Sequence, residues 1–250
     1  MPDLRLSILP GAISVILPIL PKLANHDPFS VPMSPSDRPD LILNEGAPLL
    51  VQASADAPLP PALAQDMAKL KALLHDGLKP NLAPQPDMRI LNLACGRCDE
   101  AETLVCVGQE LATGGQVEMV GADIRIREIR QARDQHAHLP AKFLIEDATK
   151  IDQHKELGDD FNLVFLRHQN FWHGQELWKK IFDQGIAKLR PDGMLVITSY
   201  FDVEHKLALK ALEALGMEVV SNKRNKASRE LSDAPGKSVD RWVAVLKRKG

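Results

Sequence analysis

From residue 88 onward, short apolar runs alternate with stretches in which apolar residues recur every three or four positions. The runs at 89–93, 117–122, 142–145, 161–165, 194–198, 218–220 and 242–246 predict seven strands. Helical spacing between them predicts helices over 99–111, 126–136, 174–188 and 203–215. Strands that are apolar almost throughout and separated by amphipathic helices imply a doubly wound, mostly parallel α/β sheet covered on both faces. The last two strands are joined by an irregular polar loop rather than a helix, which predicts a C-terminal antiparallel hairpin. Upstream, Leu63, Met67, Leu70, Leu73 and Leu74 recur at helical spacing after Pro61, predicting a helix over 62–78. The stretch before it is Pro-rich and aperiodic, with one short strand expected at 41–43. The expected organisation is therefore an irregular arm over 1–60 and one domain over 61–250, with a lid helix at 61–79 and a core at 88–250.

Composition narrows the class without naming a function. With 44% hydrophobic and 26% charged residues, the chain belongs with ordinary globular proteins. A net charge of −2 excludes a protein that coats nucleic acid through its overall charge. Charge is uneven, however. Residues 222–250 hold nine Lys and Arg against three carboxylates, which reads as a solvated basic hairpin or, alternatively, a contact for RNA or an anionic substrate. Cys95, Cys98 and Cys106 do not form a disulfide framework and fit a reducing, cytoplasmic setting. The apolar N-terminus is broken by Pro10, Pro18 and Pro21 and is short for a membrane span, so no membrane role is expected; Met33 is an alternative start.

The chemistry concentrates in two segments. ILNLACGRCDE (90–100) is a strand that stops at a small-residue turn and opens into an acidic helix start. MVGADIRIREIRQAR (119–133) is a strand ending in one carboxylate, Asp123, followed by a basic helix. A strand, a tight turn at a helix N-terminus and an acid on the next strand tip lay out a nucleoside-binding crevice. A dinucleotide would need the GxGxxG glycines, and Asp99 or Glu100 would repel its pyrophosphate, whereas either acid suits a cationic ligand. Cys95-Gly96-Arg97-Cys98 is also a CxxC, compatible with thiol–disulfide chemistry but insufficient alone for zinc; no metal is expected. His136 and His138 read as surface residues at a helix end. Phe171, Trp172 and Trp178 are candidates to line a pocket, Trp178 more as core.

Taken in order, these segments resemble the class I S-adenosylmethionine-dependent methyltransferases over about residues 89–249. The turn Asn92, Ala94, Cys95 and Gly96 resembles the family's first motif, around the methionine end of the cofactor. MVGADI resembles the second, implying that Asp123 binds the ribose hydroxyls and Ile124 packs on adenine. FLIEDATKI resembles the third, implying that Asp147 and the Ala148 backbone face the adenine edge. FNLVFLRHQNFWH resembles the fourth, implying acceptor-side roles for His168 and His173 as candidate catalytic bases and a cofactor-carboxylate role for Arg167. LRPDGMLVITSY and the closing helix and hairpin resemble the fifth strand and the end of the fold. Asn92 stands where the family has an acid, and Ala94 and Cys98 where it has glycines; Cys98 is expected to crowd the cofactor or force a different turn. The implied activity is in-line methyl transfer, with proximity and orientation doing most of the catalysis. The acceptor is expected to be a small molecule, with RNA, protein or a non-catalytic binding role as alternatives. The helix over 62–78 is expected to lie against the cofactor as part of the lid.

Overall fold

A computed structural model describes residues 59–250 of the chain. The expected arm, the strand at 41–43 and the apolar N-terminus lie outside the described residues. Five helices and seven strands follow in the order α1 (Pro61–Leu78), β1 (Met88–Leu93), α2 (Ala101–Leu111), β2 (Val117–Asp123), α3 (Ile126–Gln135), β3 (Ala141–Ile145), β4 (Phe161–Arg167), α4 (Gln175–Lys188), β5 (Leu189–Ser199), α5 (Asp202–Ala214), β6 (Met217–Arg224) and β7 (Trp242–Arg248). They build one seven-stranded sheet of order β3-β2-β1-β4-β5-β7-β6. Strands β1 to β5 pair in parallel, and β7 inserts antiparallel between β5 and β6. The predicted mixed sheet and closing hairpin are both present.

Alternation along β1 shows why the strands are apolar throughout. Met88 and Ile90 face one core layer, with α1, α2 and α3; Leu91 and Leu93 face the other, with α4 and α5. A strand buried on both faces has no solvent side to be polar on. Two local differences from the sequence reading have physical causes. Strand β5 starts at Leu189 rather than near Met194, because the Pro-Asp-Gly segment stays extended and is absorbed as a register shift opposite Phe161 and Leu163. His136, expected at the surface, is buried: it follows α3 with its ring tilted 5.8 Å from that of Phe143, and burial holds its pKa below the usual histidine value.

Helix α1 starts at Pro61, whose ring suits the first turn. Its Leu70, Leu74 and Leu78 are fully buried, against α2 and the β6–β7 end of the sheet. The buried Asp66 of α1 accepts two hydrogen bonds from Arg229 in the loop between β6 and β7. No α1 residue lines the crevice described below, so acting as a lid would require α1 to leave this packing.

Candidate functional site

Strand order reverses between β1 and β4, and a crevice opens at the carboxyl ends of β1, β2 and β4, where ligands bind in open α/β sheets. Its volume is about 670 Å³, within the usual range for small-ligand sites. One wall is the turn from Ala94 to Glu100. Another comes from Arg125, Arg127, Glu128 and Gln131 at the start of α3. Arg167 and His168 beyond β4, with Tyr200 beyond β5, complete it.

The first turn keeps an unusual backbone. Ala94, Gly96 and Cys98 all have positive φ, at 53°, 58° and 56°. Left-handed geometry costs a residue with a Cβ about 1–2 kcal/mol, yet the chain adopts it at the positions where the resemblance has glycines. Cys98 does not line the crevice, which corrects the expectation that it crowds the cofactor. Its side chain is fully buried beneath the turn, against β2. Gly121 makes the room: a Cβ there would stand 3.2 Å from both the Cys95 and the Cys98 sulfur.

Asp123 is buried at the tip of β2. Its carboxylate accepts the Gly96 N–H at 2.8 Å and the Arg125 N–H at 2.9 Å, which fix its orientation across the turn. The Arg125 side chain adds Nε to Oδ1 at 3.0 Å and Nη2 to Oδ2 at 3.2 Å. Burial alone would raise the Asp123 pKa, but these hydrogen bonds outweigh it and hold the group below the usual carboxylate range. The guanidinium lies over Gly96, with Nη2 2.7 Å from where a Cβ would stand. Arg125 thus presents two donors to the two carboxylate oxygens, the same demand a ribose diol makes.

These residues fit the nucleoside part of S-adenosylmethionine. Asp123 offers an oriented anion and Ile124, 65% exposed, an apolar platform next to it, while Gly96 is buried beneath the Arg125 guanidinium. A ligand that took both Asp123 oxygens would have to displace Arg125, whose side chain is half-exposed. Exposed ion pairs contribute about 0.2–1 kcal/mol, so Arg125→Ala is expected to tighten S-adenosylhomocysteine binding by up to about fivefold. Equilibrium titration checks this, and a weakened affinity would show that Arg125 holds the ligand instead.

The other sequence-predicted residues separate. Asn92 is fully buried below the turn and donates through Nδ2 to Cys98 Sγ and Glu100 Oε1; its Oδ1 has no protein partner. Asp147 caps the short 310 turn after β3, accepting the Thr149 N–H and hydroxyl through Oδ1, and Ala148 is buried behind it. Neither Asp147 nor Ala148 lines the crevice. His173 is exposed in the turn before α4, away from the walls. Phe171 is core, Trp178 packs against it, and the exposed Trp172 tilts against Phe201, so none of the three aromatics lines the crevice.

Arg167 and His168 belong to a buried ion cluster. Arg167 donates to Asp240 through Nε and Nη2 at 3.0 and 2.7 Å, and to Glu100 through Nη1 at 3.1 Å. Asp240, fully buried before β7, also accepts the Thr198 hydroxyl at 2.8 Å. His168 Nε2 lies 2.9 Å from Asp240 Oδ1 and 3.1 Å from the Asp240 backbone N–H. One ring nitrogen cannot serve both contacts. The charge-assisted bond to the carboxylate is the stronger, which assigns the proton to Nε2 and leaves Nδ1 as an acceptor. The imidazole stacks on Tyr200 at 3.8 Å between centroids, and burial holds its pKa below the usual histidine value. Sequence reasoning did not single out Asp240, Tyr200 or Arg125 as site residues. Only Arg125, two positions after the strand-tip acid, carried a local signal.

A family profile described as "Methyltransferase domain" matches residues 84–250. The PH0226 protein from Pyrococcus horikoshii superposes with a TM-score of 0.55 at 17% identity, over 74% of this chain and 91% of that one. A S-adenosylmethionine-dependent methyltransferase from Clostridium acetobutylicum gives 0.54 at 12% identity, over 78% and 94%. The ribosomal protein L11 methylase from Lactobacillus delbrueckii subsp. bulgaricus gives 0.50 at 13% identity, over 74% and 79%. These likenesses establish a shared fold. Comparison with curated proteins found no significant match.

Proposed function

The chain belongs to the methyltransferase-domain family, the class I enzymes that use S-adenosylmethionine, and from that premise we propose that its crevice holds this cofactor for methyl transfer to a small-molecule acceptor. The observation that carries the reading is the Asp123 carboxylate, oriented by the Gly96 N–H at the rim of the crevice. The bound cofactor supplies an activated methyl group on a sulfonium. The protein's task is then to bind, orient and exclude water.

Asp123 grips the ribose, Ile124 supports the adenine, and the turn from Asn92 to Gly96 borders the methionine end. His168 takes a proton from an acceptor that carries one: the imidazole is neutral near pH 7, and its Nε2–H is fixed on Asp240. His173, exposed in the turn before α4, does not line the crevice and is not given that role. Arg167, with its guanidinium spent on Asp240 and Glu100, supports His168 from below rather than binding the cofactor carboxylate.

Charge placement supports a small acceptor over RNA. Five of the nine cations in residues 222–250 are paired with carboxylates inside the protein. Lys223, Arg229, Lys237, Arg241 and Lys247 pair with carboxylates, and Arg248 and Lys249 donate to backbone carbonyls. RNA affinity rests on cations free to release counterions. Among the described residues, no helix is long and apolar enough to cross a membrane. With a labelled methyl donor, a low-molecular-mass metabolite fraction is expected to take up label while total RNA and protein do not. Label confined to RNA or protein would overturn the small-molecule reading.

A further inference from the structure

The CxxC in the first turn is not needed for any of the steps above. We infer that Cys95 and Cys98 form a reversible disulfide with peroxide-class oxidants, and that this modification weakens cofactor binding in the crevice; the second half of the inference rests on the cofactor reading. The Cys98 N–H donates to the Cys95 carbonyl at 2.8 Å, closing a four-residue turn. Such turns hold their end Cα atoms within about 7 Å, close to the span of about 4.4–6.8 Å that a disulfide bridges. Both sulfurs also point to one side. Each lies 3.2 Å from the same point, the place of a Gly121 Cβ, so they cannot be farther apart than twice that distance. All three cysteines are free thiols.

Access is asymmetric in the way a two-step reaction needs. Cys95 is half-buried and lines the crevice; Cys98 is fully buried below it. Burial, reinforced by the neighbouring Cys95, raises the Cys98 pKa, so Cys98 stays a thiol until it is used. The Cys95 sulfur attacks one peroxide oxygen, the O–O bond breaks, and a sulfenic acid and water form. The Cys98 sulfur then attacks the Cys95 sulfur and expels the hydroxyl as water. In balance, two thiols and one hydrogen peroxide give one disulfide and two waters. Dithiothreitol reverses the change and is itself oxidised to its cyclic disulfide.

The bond would act on the cofactor through the turn. Drawing the sulfurs together pulls Cys98 Sγ from the Asn92 Nδ2 that now donates to it at 3.1 Å. It also shifts Gly96, whose N–H orients Asp123. Loss of one charge-assisted hydrogen bond lowers affinity on the order of tenfold or more.

The test uses the full chain carrying Cys106→Ser, so that two thiols remain. Hydrogen peroxide is expected to lower the mass by two hydrogens and to consume both thiols. Affinity for S-adenosylhomocysteine should fall at least about tenfold and return with dithiothreitol. Cys98→Gly, which puts glycine at a φ of 56°, should keep its affinity after the same treatment. A verified disulfide with unchanged affinity would overturn the switch. Peroxide adducts on Cys95 without pairing would overturn the modification site. A reduced protein that forms the disulfide but binds neither S-adenosylmethionine nor S-adenosylhomocysteine would overturn the cofactor reading, and the switch with it, but not the site.

Discussion

Asp123→Ala is expected to abolish measurable S-adenosylmethionine binding while leaving the fold intact. The carboxylate sits at the tip of β2 behind two crevice-lining residues, Gly96 and Arg125, and is held by the backbone N–H of each. A ribose diol would give it two charge-assisted hydrogen bonds, each contributing about 1.5–3 kcal/mol. Losing both weakens affinity by about a hundred- to ten-thousandfold. Folding should suffer less, because the Arg125 partner is half-exposed. Calorimetric titration measures the loss, and an unchanged melting temperature separates it from unfolding. Asp123→Asn should fall between the two, keeping one acceptor oxygen without the charge.

Asp240→Ala is expected to be the most destabilising substitution at the site. Asp240 is fully buried, and its removal leaves Arg167 with Glu100 alone, and Thr198 and His168 without their carboxylate. Breaking a buried ion pair from one side costs about 3–5 kcal/mol, which lowers the melting temperature by about 6–20 °C in a chain of this size. A drop under about 2 °C would mean that the cluster contributes little. The pH dependence has a defined sign. Burial would raise the Asp240 pKa, but Arg167 and His168 outweigh it and push the group far below the usual carboxylate range. Its stabilisation is therefore complete above the unfolded carboxylate value of about 4 and is lost as pH falls toward the folded value. His168, also depressed, is neutral in the fold but protonates in the unfolded chain near pH 6.5, so it too costs stability on acidification. Thermal unfolding should show stability declining below about pH 6.5 and more steeply below about pH 4, with the steeper part much reduced in Asp240→Ala.

The fold was legible because its signals are local. Apolar runs mark the strands, helical spacing marks α1 to α5, and the polar loop between β6 and β7 foretells an antiparallel return. Asp123 was legible for the same reason: it is the one carboxylate at the end of an apolar run, before a basic helix. Pairings across the sheet left no such trace. Asp240 meets Arg167 from seventy-three positions away, and nothing in SVDRW marks it as the floor of the site. The turn was misread in part because each residue was judged by its own size. Cys98 fits under the turn opposite a glycine of β2, where a Cβ would stand a tight 3.2 Å from its sulfur. His136 shows the same limit, since a helix-end histidine and a buried one look alike until Phe143 is placed beside it.

The central claim is that this altered first turn still holds the methyl donor. Calorimetric titration of the reduced, full-length protein with S-adenosylmethionine and S-adenosylhomocysteine tests it most directly. Saturable binding of both at micromolar concentrations, with one ligand per chain, is the predicted result. The absence of binding heat for either ligand up to millimolar concentration, from a protein that melts cooperatively, would contradict it.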